Sequence, residues 1–159
     1  MCVGVDHSRR DCAGGAGPVV VLSVGLLLLG AALYGLNQAV LKPRLGHPLL
    51  HGHLNDVLAG VVFIAYTNLL CLAVTRGRRW LRRAGACLVL MLAVGLFWEV
   101  VTPLYRADSV ADPRDLLAYV AGGMAAWAAV RLGAARAARR EARRVREILE
   151  CGIGGGAIS

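Results

Sequence analysis

The apolar and polar positions divide the chain into four long apolar runs separated by short polar segments. The runs cover residues 18–41, 54–75, 84–105 and 116–132. They are apolar on every side, which is typical of helices surrounded by lipid. A helix needs about 20 apolar residues to cross a bilayer. The first three runs reach that length, and the fourth reaches it if Arg131 extends its side chain toward the headgroups. The pattern predicts an all-α, four-span transmembrane helix bundle.

Composition leaves no room for a separate soluble domain. The 159 residues are 57% hydrophobic and 18% charged, and the charges lie between the apolar runs. Residues 1–17 and 151–159 are rich in glycine and lack periodicity, which predicts disordered tails. We therefore expect four parts: a tail over 1–17, a transmembrane domain over 18–133, a basic cytoplasmic helix over 134–150 and a tail over 151–159.

The basic residues predict the orientation of the bundle. With four spans, both termini and the middle loop share one side of the membrane. Fourteen of the 18 Lys and Arg residues fall on that side, five of them between positions 76 and 83. The positive-inside rule therefore predicts a multi-pass protein of the cell membrane with both termini in the cytoplasm. The net charge of +8 follows from this asymmetry. It does not indicate nucleic-acid binding, because no aromatic residue lies among the C-terminal arginines.

The predicted basic helix has two interpretations. Small and apolar residues form one stripe along it, and arginines fill most of the remaining positions. Such a helix can lie on anionic lipid, at roughly 1 kcal/mol per basic residue. It can equally be a solvated extension of the fourth span that fixes orientation. Membrane lipids are the expected partners, with other membrane proteins as a further class.

Polar residues on the predicted outer side form the candidate site. Glu99 lies about 9 Å inside the outer end of its span. An ionised carboxylate at mid-membrane costs up to ~3 kcal/mol, so Glu99 must be protonated, paired or facing a wet cavity, and Arg106 and Arg114 are the nearby basic candidates. The alternative to a functional role is a structural ion pair with Arg106. Asp112, Asp115 and Tyr119 follow helical spacing and share one face. The full candidate ligand-binding set is Glu99, Arg106, Asp112, Asp115, Asp56 and Tyr119.

Some of these residues also fit a structural role at helix ends. Asp112 before Pro113 is typical of a helix start, in which the aspartate caps and proline takes the first position. Asn55 and Asp56 match the same role at the second span. Farther along, Gly122 and Gly123, together with Ala118 and Ala126, form a small face that favours close helix packing.

Three histidines in the first outer loop raise the question of a metal. His47, His51 and His53 precede Asp56, and histidine with carboxylate is a zinc ligand set. Proline and glycine separate them, however, and no helical metal motif is present. We therefore assign no metal site and no cofactor, and prefer to interpret the histidines as interfacial residues that hydrogen-bond to lipid or to neighbouring carboxylates. Metal binding by His47, His51 and His53 stays open as the alternative.

The order Glu99, Arg106, Asp112, Asp115 and then Gly122-Gly123 resembles the VanZ-like family of small integral membrane proteins. The resemblance covers about residues 97–126, and the chain departs from the pattern at Thr102-Pro103 and at Tyr119. It implies a four-span cell-envelope protein, and some members of that family confer low-level glycopeptide resistance.

Two functions of different classes follow from these residues. The first is a VanZ-like protein whose outer pocket binds a lipid or cell-envelope headgroup, with arginines on phosphate and carboxylates on hydroxyl or ammonium groups. The second is a small transporter or partner subunit in which intramembrane carboxylates relay protons or cations. No reaction is assigned, since the chain has no GxSxG motif and Ser109 is its only serine in the outer loops.

Overall fold

A computed structural model of the protein describes residues 8–45, 53–105 and 113–154, with side chains described over 16–44, 53–98 and 114–150. This part of the chain is built from four helices. α1 spans Ser8–Leu36 and continues through a π-helical segment, Asn37–Leu41, into a further α-helical turn, Lys42–Leu45. The other helices are α2 (His53–Val74), α3 (Ala84–Tyr105) and α4 (Pro113–Gly154).

Successive helices run antiparallel, with α2 and α4 at the centre. α1 packs against both of them, and α3 packs against α4. At one end, which we call the polar end, Asn37 near the end of α1 bonds to Asn55 in the first turn of α2. At the other end, which we call the arginine end, the Leu81 amide donates to the Asn68 side chain at 3.0 Å. The start of α4 therefore shares the polar end with the start of α2.

Glycines let α2 and α4 approach until their backbones touch. A Cβ placed on Gly60 would overlap the Tyr119 carbonyl oxygen and lie 2.8 Å from the Gly123 nitrogen. A Cβ on Gly122 would overlap the Val57 carbonyl oxygen. Close backbone approach at small residues is how helices associate in lipid, where no hydrophobic effect drives them together. The predicted small face at Gly122 and Gly123 is confirmed, and Gly60 is its counterpart on α2.

The outside of the bundle is apolar, as expected of a protein whose solvent is lipid. Large side chains such as Val21 (71% exposed), Leu28 (68%) and Leu117 (68%) lie on the surface. Three helical stretches are long and apolar enough to cross a membrane: Ala16–Arg44, His53–Val74 and Arg114–Glu150. In α3, the stretch with described side chains, Ala84–Trp98, is apolar but shorter. The chain is therefore an all-α protein with the features of a multi-pass membrane protein.

Helix boundaries agree with the apolar runs where polar residues flank them closely. α3 has the predicted bounds, and α2 begins and ends one residue before its run. α1 begins at Ser8, ten residues before its run and within the stretch predicted as a tail. α4 continues without a break through the predicted boundary between 133 and 134. Ala, Arg and Glu are strong helix formers, so the single Gly133 does not end the helix. Residues 1–7 and 155–159 lie outside the described part.

The C-terminus of α2 is closed by two backbone bonds that require left-handed residues. The Gly77 amide donates to the Leu72 carbonyl at 2.7 Å, and the Arg76 amide donates to the Ala73 carbonyl at 3.2 Å. This pairing is the Schellman motif, whose left-handed position glycine usually occupies. Here Arg76 occupies it, with φ 51°, and Gly77 follows with φ 80°.

Substitutions at this turn should change stability in opposite directions. Gly77→Ala is expected to lower the free energy of unfolding by about 1–2 kcal/mol, because a side chain strains a left-handed residue. Arg76→Gly should raise it by a few tenths to about 1 kcal/mol by removing that strain. Reversible unfolding in mixed micelles measures both. Gly85→Ala is the matched control, because its new methyl group would meet nothing within 4 Å; equal signs for the two turn variants would contradict the prediction.

Candidate functional site

A histidine and two aspartates from two helices meet at the polar end. His53 and Asp56 lie in the first turn of α2, where their i, i+3 spacing places them on one face. Asp115 lies in the first turn of α4. His53 Nδ1 is 2.8 Å from Asp115 Oδ1, and one ligand atom from each of the three residues lies within 4.8 Å of the others. We call His53, Asp56 and Asp115 the His–Asp cluster.

The position of the cluster follows from the packing of three helices. The glycine contacts at Gly60 and Gly122 hold α2 and α4 together about two turns from their first residues. α1 is attached to α2 through the Asn37 side-chain amide, which donates to Asn55 Oδ1 at 2.9 Å. Asn37 is fully buried and begins the π-helical segment. Short π-helical segments are frequent at functional sites, since they re-aim side chains within a helix.

The electrostatics of the cluster favour a positively charged or hydrogen-donating ligand. Asp56 and Asp115 bring two carboxylates near one imidazole, and exposed fractions of 31% for the His53 side chain and 42% for Asp115 leave it accessible from water. Both carboxylates lie near helix N-termini, whose partial positive charge interacts favourably with acidic side chains. The cluster can therefore accept hydrogen bonds from ammonium or hydroxyl groups, or ligate a cation.

The other predicted site residues fall into two groups. Tyr119 lies one turn farther into the bundle, where its ring packs against Phe63 with centroids 6.3 Å apart. Its side chain is partly buried and packs against the apolar core. Glu99 belongs to α3, but its side chain is outside the described residues, as are Arg106 and Asp112. The convergence of those three residues with Asp115 stays a prediction.

At the start of α2, one expectation changes and one agrees with the structure. The helix begins at His53, so Asn55 and Asp56 lie inside its first turn and neither is the capping residue that the sequence predicted. The contact of His53 with a carboxylate agrees with the interpretation of the histidines as partners of neighbouring carboxylates. His47 and His51 lie outside the described residues.

His53 belongs to the cluster but was absent from the predicted set of ligand-binding residues. Its spacing to Asp56 is visible in the sequence, but its contact with Asp115 joins residues 62 positions apart. Only the parallel packing of α2 against α4 brings them together. The signal in the sequence was the histidine–aspartate spacing at a helix start, and the missing information was this packing.

Comparisons with known proteins identify no relative of the chain. No protein-family model, no curated protein and no solved structure matches the chain.

Proposed function

We propose that the protein is a four-span integral membrane protein that binds a polar lipid or cell-envelope headgroup at its polar end. The observation that carries the proposal is the His–Asp cluster, which gathers two carboxylates and an imidazole at one end of a largely apolar bundle. In this proposal both termini are cytoplasmic, so the polar end faces outward. The proposal includes the resemblance to VanZ-like proteins, which likewise implies a protein of the cell envelope.

The chemistry of the headgroup follows from the residues. Asp56 and Asp115 suit an ammonium or hydroxyl group, because ionised carboxylates only accept hydrogen bonds. Arg114 lies beside Asp115 and is exposed, which suits a phosphate. We therefore propose a headgroup that combines a phosphate with an amine or hydroxyl group, and Glu99, Arg106 and Asp112 as further contacts to it.

A relay of protons or cations through the bundle receives less support. Such a relay needs polar groups that lead from the polar end toward Asn68, a buried amide in the second half of α2. Between Asp56 and Asn68, the buried residues of α2 are Leu58, Gly60, Ile64 and Ala65. Asn68 itself accepts the Leu81 amide, which gives it a structural role at the arginine end. Headgroup binding is therefore the function we propose.

Lipid preference is the test of this function. Purified protein in detergent with EDTA is offered equal amounts of phosphatidylethanolamine, phosphatidylglycerol and phosphatidylcholine, and bound lipid is counted by native mass spectrometry. We expect the first two lipids to be retained over phosphatidylcholine, whose quaternary amine donates no hydrogen bond. Asp115→Asn should reduce this preference by about 10-fold, since a hydrogen bond to a charged group contributes about 1.5 kcal/mol or more.

The matched control is another carboxylate on the same helix. Glu141 lies on α4, about 39 Å from Asp115 at helical rise, and is exposed. Glu141→Gln should leave lipid retention unchanged. Equal retention of all three lipids by the wild-type protein would refute headgroup recognition at the cluster.

A further inference from the structure

We propose that the His–Asp cluster is a binding site for a divalent transition-metal cation of the zinc type. The proposed ligands are His53 Nδ1 and one carboxylate oxygen from each of Asp56 and Asp115. The sequence alone led to no metal site, because the ligands are divided between α2 and α4.

The spacing of the three ligand atoms is close to that around a zinc ion. Zinc binds nitrogen and oxygen at 2.0–2.2 Å in a tetrahedron, so its ligand atoms lie roughly 3.4 Å apart. In the structure His53 Nδ1 and Asp115 Oδ1 are 2.8 Å apart, and no pair among the three ligand atoms exceeds 4.8 Å. All three side chains are only partly buried, so small shifts of these side chains would bring the three ligand atoms onto one ion.

The charge and donor types also fit such a cation. Two carboxylates carry two negative charges, which match the charge of a divalent ion. An imidazole ligand favours zinc and its neighbours over Mg²⁺ and Ca²⁺, which prefer oxygen alone. With three protein ligands, the fourth position stays open for water or for an oxygen of a bound molecule.

The arrangement of the helices prepares the site before a cation arrives. His53 is held against Asp115 across the interface that the glycine contacts fix, so binding needs no rearrangement of the backbone. The nearest described positive charge along the chain is Arg114, which is exposed and lies next to Asp115 in the sequence. Cation binding does not depend on the headgroup proposal. The two are compatible, because the open coordination position of a bound ion could accept a phosphate oxygen of a headgroup.

Metal binding can be measured on the full-length protein in detergent without added lipid. After treatment with EDTA and alkylation of accessible thiols, the protein is titrated with Zn²⁺ by calorimetry, and with Co²⁺, whose visible absorption reports nitrogen and oxygen ligands. We expect one ion per chain. Asp115→Asn and His53→Ala should each weaken binding by at least about 10-fold, because loss of even an outer partner of a ligand costs that much.

The controls separate this site from other zinc-binding groups. Glu141→Gln and His7→Ala remove a carboxylate and a histidine elsewhere and should leave affinity unchanged. Circular dichroism and size-exclusion chromatography identify any variant that fails to fold, and Asp56→Asn then replaces it. Unchanged binding in all cluster variants, or no binding by the wild type, overturns the site. Zinc binding without lipid preference would instead refute only the headgroup function.

Discussion

Gly122→Ala is expected to lower the free energy of unfolding by more than about 3 kcal/mol, the upper range for overpacking. The added methyl group would overlap the Val57 carbonyl oxygen and lie 2.8 Å from the Val57 carbonyl carbon. A side chain in the way could change rotamer, but these are backbone atoms of α2, so the helices themselves must separate. Gly60→Ala should have a comparable effect through the Tyr119 carbonyl.

Separation of α2 from α4 should also disturb the polar end. His53 and Asp115 contact each other across the same interface. A small shift in helix distance therefore breaks their 2.8 Å contact. If the metal site exists, Gly122→Ala should lose zinc binding together with stability, although it alters no ligand.

Thermal unfolding in detergent is measured as the fraction of protein that remains monodisperse after heating to each temperature. Gly25→Ala is the matched control, since this glycine also lies inside a helix but a Cβ there meets nothing within 4 Å. It should be neutral or stabilising by up to about 1 kcal/mol, because alanine is the better helix former. Equal loss of stability at Gly25 and Gly122 would show that α2 and α4 do not touch as described.

The apolar runs predicted the helices well because lipid imposes a simple rule. A span must be apolar on all sides and polar residues end it, so α2 and α3 could be placed within one residue. The same rule does not determine where a helix ends outside the membrane. α4 continues through Gly133 into the arginine-rich stretch, because alanine and arginine favour helix in water as well.

The site was harder to predict, because it depends on which helices touch. Asp56 and Asp115 were identified as polar residues at helix starts, and the small face at Gly122 was identified as a contact. The sequence did not reveal that Gly60 is the partner of that face. Without this pairing, His53 could not be assigned to Asp115, although Asp56 and Asp115 belonged to one candidate set.

Reporter fusions should show that positions 48 and 110 lie on the outer side of the membrane and position 80 on the inner side. A phosphatase active only outside and a fluorescent protein active only inside give opposite signals at each position. The physical reason is the concentration of basic residues around position 80 and after position 131, since short loops rich in Arg stay in the cytoplasm. Replacing Lys42 and Arg44 with Gln is the matched control, because it increases the asymmetry and should leave every signal unchanged.

The three reporter signals test the arrangement of the helices and the orientation of the bundle separately. Contact between His53 and Asp115 places the start of α2 and the start of α4 at one end of the bundle. Positions 48 and 110 must therefore report the same side, whichever side that is, and disagreement between them would contradict the antiparallel arrangement itself. The basic residues decide only which side it is. Agreement at 48 and 110 on the cytoplasmic side would leave the fold intact and turn the His–Asp cluster toward the cytoplasm, where an outer headgroup could not reach it.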